Sequence, residues 1–215
     1  MTHGPGISGA EAGRKRLSTK RYTAVAIILH WLIAAAILTL IVSGLWMTDA
    51  IKAPATQASA FAVYQWHKSL GLTVLALSLL RLMWRFANPP PPLPDGMGWL
   101  SRLAAHGTHW AFYILMIGMP LLGWAMVSSS VFGLPTIVFG LFEWPHIPML
   151  AALEDKAPAE AAFKSAHRAG GYVMIALLIL HVAAALKHHF FDRDHVLAAM
   201  LPGVRARRFN GERAT

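Results

Sequence analysis

Residues 24–47, AVAIILHWLIAAAILTLIVSGLWM, run for 24 positions without a charged side chain. As a helix this stretch is about 36 Å long, enough to cross a hydrocarbon core about 30 Å thick. In lipid each backbone N–H and C=O must find its partner inside the protein, so a run of this kind reads as a spanning helix. Three more apolar stretches follow at about 61–86, 103–127 and 166–190. The chain of 215 residues is 56% hydrophobic and 13% charged, with positive mean hydropathy, which excludes an ordinary soluble domain. The expected fold is all-α, an integral membrane four-helix bundle over residues 22–203, with a polar tail at 1–21 and a basic tail at 204–215.

The segments between the spans carry weaker signals. No apolar run precedes Tyr22, and the first span is too long for a cleaved signal, so 1–21 reads as a retained cytoplasmic tail. Residues 48–60, with Asp49, Lys52 and Pro54, read as a short loop. Asn88 and the four prolines after it form a stiff connector without backbone donors. Pro120 lies within the third span and predicts a kink that leaves the Met116 carbonyl without its helical donor. Residues 131–142, broken by Gly133, Pro135 and Gly140, are too few to span. They read as an interfacial or re-entrant piece that covers a site or meets a partner, followed by an acidic loop with Glu154, Asp155 and Glu160.

Charge sets the orientation. With both termini on one side, that side and the connection between spans two and three hold fourteen of the nineteen Lys and Arg residues. The positive-inside rule then makes both termini cytoplasmic. The formal net charge of +9 belongs to this sorting and to anionic lipid, and nucleic acid is not an expected partner.

Four histidines lie within the spans, where an ionisable side chain is costly unless it has a function and a partner. His30 is near the inner end of span one and His181 near the inner end of span four. His67 and His167 open spans two and four from the outer side. They resolve by depth into an inner pair, His30 with His181, and an outer pair, His67 with His167. His167 and His181 are fourteen residues apart on one helix, about 21 Å along its axis and roughly 40° from alignment.

The chain has no cysteine, which excludes disulfides, thiolate metal sites and cysteine-held clusters and leaves histidine as the strong nitrogen ligand. Two imidazoles are too few for a zinc or copper site. They suffice for haem, whose porphyrin supplies four nitrogens, and filling both axial positions suits electron transfer. The residues four positions after the histidines, Ala34, Gly71, Gly171 and Ala185, are all small and leave room beside each ligand. His106 and His109 overlap His30 in depth and are alternative ligands. His3, His146, His189 and His195 fall in tails or loops and are expected to be solvated.

The segments RYTAVAIILHWL, WHKSLGL with LLRLMWR, AHGTHWAFYILMIGMPLLGW, and SAHRAGGY through LHVAAALKHHFF together resemble the prokaryotic cytochrome b561 family across residues 20–203. The resemblance implies two haem b groups with His30, His67, His167 and His181 as iron ligands. It also implies exchange with ubiquinone and, as in some members, a superoxide:ubiquinone oxidoreductase activity fed by periplasmic superoxide. The chain's own residues offer matching candidates. Lys68, Lys164 and Arg168 flank the outer ligands and could pair with haem propionates or steer an anion. His188, Lys187, Arg81, His106 and His109 lie near the inner pair and could donate to a quinone carbonyl. Two other functions fit the same histidines. One is an electron-transfer subunit serving a separate dehydrogenase or secreted redox protein. The other is a histidine-based metal transporter, disfavoured by the lack of intramembrane carboxylates. Sequence leaves a monomer and a homodimer equally open.

Overall fold

The computed structural model describes residues 22–91, 98–192 and 197–201. The expectations for the tails at 1–21 and 204–215, for the end of the proline run, and for His3 and His195 fall outside these residues. Four helices are long and apolar enough to cross a membrane: α1 (Ala24–Ala50), α2 (Gln57–Ala87), α3 (Trp99–Ser128) and α5 (Ala157–Phe190). Between α3 and α5 come strands β1 (Thr136–Val138) and β2 (Phe142–Trp144) and the short helix α4 (Pro148–Ala151). A 3-10 turn, Ala198–Met200, follows α5.

All four long helices outrun their apolar segments. Apolarity marks the part that lipid covers, whereas helix formation continues through residues that favour it in water. The largest difference is at α5, which begins at Ala157 rather than near 166. Its first turns, APAEAAFK, combine Pro158 near the start with Ala and Glu. Glu160, expected in an acidic loop, therefore lies in the first turn of α5, where its carboxylate accepts from the Val131 N–H at 2.8 Å. α3 runs unbroken through Pro120, whose ring removes the N–H that would otherwise bond the Met116 carbonyl.

The bundle closes through contacts between α1 and α2, α2 and α3, and α3 and α5. Its buried apolar cluster is Ile33, Ile37, Val74, Tyr113, Met116 and Met174. Met174 is the one buried residue of α5, seven residues from both His167 and His181. The cluster is therefore a dry plug between two histidine levels. Elsewhere the long helices present Leu, Ile, Val and Phe outward, as a lipid-facing surface requires.

Residues 131–142 form most of an antiparallel hairpin that registers Thr136 with Trp144 and Val138 with Phe142. The expectation of an interfacial or re-entrant piece did not include strands, because these short apolar runs give little period to read. Phe139 (φ 48°) and Gly140 (φ 77°) both take positive φ at the turn, and Leu141 N–H closes it on Val138 O at 2.9 Å. Positive φ at both central residues is the primed turn that matches strand twist. Phe139 accepts the left-handed conformation because its ring packs edge-on to Trp66 at 5.4 Å. Gly140→Ala places a Cβ in that conformation and should destabilise the hairpin by about 1–2 kcal/mol. Faster protease cleavage at the turn, with the helical signal unchanged, is the expected readout.

The hairpin is clamped to α2 around His67. The Pro135 carbonyl accepts from Gln65 Nε2 at 3.0 Å and Lys68 Nζ at 2.7 Å, and Gln65 Oε1 accepts from Ile137 N–H at 3.2 Å. Ser69 Oγ accepts from Phe139 N–H at 3.0 Å. Gln65, Lys68 and Ser69 share one stretch of helix with His67, so the extramembrane cap and the outer histidine are fixed by the same turns.

Candidate electron-transfer site

α5 presents two histidines toward α1 and α2. The ring centres of His67 and His167 are 6.4 Å apart, and those of His30 and His181 are 6.3 Å apart. With each ring nitrogen about 2.0–2.1 Å from a metal and about 1.1 Å from its own ring centre, two axial imidazoles on one ion set their centres roughly 6.2–6.4 Å apart. Both spacings suit an ion held from two sides.

At the outer level the rings are oriented by bonds to Nδ1. Ser43 Oγ lies 3.2 Å from the Leu40 carbonyl and 3.1 Å from His67 Nδ1. Donating to the carbonyl leaves its lone pairs to accept from the ring N–H. His167 Nδ1 lies 3.2 Å from the Met119 carbonyl, which can only accept. In each ring Nδ1 is then the protonated nitrogen and Nε2 is free to ligate, the usual arrangement of a metal-bound histidine. Glycines make the approach possible. A Cβ on Gly44 would come within 3.2 Å of His67 Cε1, and one on Gly123 within 3.4 Å of His167 Cε1. A Cβ on Gly71 or Gly171 would meet nothing within 4 Å, so open space flanks both outer rings one helical turn away.

The inner level holds three histidines. His181 is 6.3 Å from His30 and also 6.1 Å from His109, with Phe112 against it at 5.2 Å. Ring spacing alone does not choose between His30 and His109. α3 and α5 press their backbones together, whereas α1 makes no comparable approach to α5. A flat macrocycle fits between helices that stand apart, which favours His30 as the partner of His181.

The remaining candidates divide. Arg81 Nη1 donates to the Ala26 carbonyl at 2.8 Å, tying α2 to α1 one turn before His30. His106 lines a shallow cleft of about 450 Å³ with Trp99, Arg102 and Leu103. All four come from the start of α3, so the cleft is a groove on one helix rather than a pocket between helices. Lys187 Nζ bonds both carboxylate oxygens of Asp192, at 2.9 and 2.8 Å, and His188 Nδ1 lies 3.1 Å from Asp192 Oδ2. The Lys187 hydrogen bond holds the Asp192 carboxyl below its ordinary pKa. A lowered carboxylate pKa keeps this link intact at neutral pH and releases it only as pH falls through that depressed value. Lys164 and Arg168 are exposed, and no side-chain partner is seen for either among the described residues, whereas Lys68 is committed to Pro135. His146 and His189 fall outside both pairs.

Sequence reasoning missed Ser43, Gln65, Ser69 and Asp192. Ser43 and Ser69 look like ordinary span serines, and their roles depend on which helix lies opposite. Asp192 follows Lys187 by five residues past the helix end, where no regular spacing applies.

The family model of prokaryotic cytochrome b561 matches residues 21–203. The chain belongs to this family. It is similar to cytochrome b561 homolog 2 of Escherichia coli (strain K12), at 34% identity over 191 residues covering 85% of this chain and 92% of that protein. A probable superoxide oxidase CybB of Yersinia pestis is 29% identical, with 86% of this chain and 98% of that protein covered. A probable Ni/Fe-hydrogenase B-type cytochrome subunit of Rhizobium leguminosarum bv. viciae is 22% identical, with 91% and 92% covered. This cytochrome b561 is thus a multi-pass membrane electron carrier of the b type, and haem b is its cofactor. Its donor set fits that group: imidazoles face each other at two levels, with open space beside the outer pair at Gly71 and Gly171.

Proposed function

We propose that this cytochrome holds two haem b groups, an outer one between His67 and His167 and an inner one between His30 and His181, and moves electrons from superoxide outside to ubiquinone inside. The observation that carries this is the pair of histidine levels on either side of the apolar plug of Ile33, Val74, Met116 and Met174. Haem with both axial positions filled supplies a one-electron carrier and leaves no iron position open to oxygen. His109 is then a neighbour of His181 rather than a ligand.

The chain's own residues supply the rest. Lys164 and Arg168 flank His167 on α5 and present exposed positive charge, which attracts an anionic donor and anionic cofactor edges alike. At the inner end, Lys187 and His188 are held by Asp192 beside the last turn of α5, where proton donors meet the membrane surface. Quinone reduction needs them: two superoxide anions each lose one electron to become dioxygen, and one quinone gains two electrons and two protons to become quinol. The count of fourteen against five Lys and Arg supports cytoplasmic termini in a bacterial inner membrane.

The test is quinol formation by purified, haem-replete protein supplied with superoxide and a soluble ubiquinone. Turnover that stops on adding superoxide dismutase is expected. No turnover, with active superoxide and an intact haem spectrum, contradicts superoxide as donor. That outcome favours a second reading, an electron-transfer subunit for a separate enzyme, to which the hydrogenase-subunit relative lends support. For the inner site, Asp192→Asn should lower quinone reduction several-fold while leaving haem content unchanged, measured as quinol yield per haem.

A further inference from the structure

Two buried side-chain polar atoms lack a hydrogen-bond partner among the described residues, Ser78 Oγ and Trp144 Nε1. They differ in kind. A helical serine hydroxyl can rotate onto a carbonyl of its own helix, one turn back. An indole N–H is a donor only, fixed by its ring, and leaving it unpaired in a buried place costs about 1–3 kcal/mol. Trp144 therefore needs an acceptor that none of the described residues provides.

The surroundings say where that acceptor belongs. Trp144 ends β2 and registers with Thr136, the neighbour of Pro135, whose carbonyl is bound by Gln65 and Lys68 on either side of His67. Its ring packs edge-on to Trp124 at 5.8 Å, and Trp124 follows Gly123, which abuts His167. Trp124 Nε1 already donates to Pro145 O at 2.8 Å, so the two indoles are not equivalent. The orphaned donor is thus fixed on the hairpin between the helix turns that carry the two outer histidines. The exposed cations beside His167, Lys164 and Arg168, suit a negatively charged acceptor.

We propose that the Trp144 indole N–H anchors a carboxylate of the haem held between His67 and His167, a role that rests on the assignment of haem to that pair. Trp144 joins the hairpin to the cofactor, so the cap on α2 is part of the haem site. This also accounts for a half-buried tryptophan whose Nε1 is shielded at the end of an otherwise exposed strand.

Trp144→Phe removes the N–H and keeps an aromatic ring against Trp124. Haem loss from each level is followed by transfer to apomyoglobin, for haem b and for its dimethyl ester, which lacks free carboxylates. The substitution should speed outer-haem loss on the order of tenfold, as expected for a hydrogen bond to a charged group, and leave the inner haem unchanged. With the ester, wild type and variant should lose outer haem at the same rate. Equal rates with haem b, or the same ratio with haem and ester, would overturn the proposal. If wild type holds no haem at the outer pair, the assignment beneath the proposal fails instead, and the haem-to-protein ratio before transfer separates the two failures.

Discussion

His67→Ala yields a protein with one haem b per chain in place of two, and His181→Ala does the same by emptying the other level. His67 is the only histidine of α2, and its ring is fixed by Ser43, so no neighbouring imidazole can replace it. Loss of an axial ligand leaves a five-coordinate iron, and outer haem content should fall at least tenfold. Haem extraction with protein quantitation checks this, and the reduced-minus-oxidised spectrum should lose a different component in each variant. The inner level adds a sharper comparison. If His30 is the ligand, His30→Ala should lose the inner haem and His109→Ala should retain it. Equal retention in His30→Ala would show that His109 is the ligand.

Gly171→Leu, and separately Gly71→Leu, should abolish outer haem binding while leaving the bundle folded. A Cβ added at either position meets no protein atom within 4 Å beyond its own helix turn, so the substitution starts in open space. Replacing a mid-helix glycine with leucine should raise apoprotein stability by up to about 1 kcal/mol through helix propensity. If the macrocycle lies in this space, a leucine there occupies its volume beside the ring. Haem content should then drop to about one per chain with the thermal transition of the apoprotein not lowered. Full haem content in both variants would mean that the open space faces lipid and that the macrocycle lies elsewhere.

Much of this arrangement was legible before any coordinates. Hydropathy located the four spans, because lipid imposes one requirement on every residue of a crossing helix. Histidine depth suggested the pairs, because a helix turns its rise per residue directly into membrane depth. Small residues one turn after the ligands pointed to the space now seen at Gly71 and Gly171. What stayed hidden depends on which elements face each other. His106 and His109 stood both among the quinone candidates and as alternative ligands, and the fold brings His109 against His181 while His106 lies in a groove at the start of α3. Lys68 was assigned to the cofactor edge, and only the hairpin's course brings Pro135 to it. The strands of the hairpin were not legible because runs of three residues carry almost no periodic signal. Trp144 gave no sign at all in sequence, since an unpaired N–H is visible only once every neighbour has been placed.

Transmembrane electron transfer in proteoliposomes tests the central claim most directly. A membrane-impermeant oxidant is sealed inside vesicles carrying the purified cytochrome, and an impermeant reductant is added outside. Wild type should discharge the internal oxidant, and His67→Ala and His181→Ala should each reduce that rate at least tenfold, because both levels must carry the electron. Discharge at the wild-type rate by either variant would contradict a path that runs through both histidine pairs.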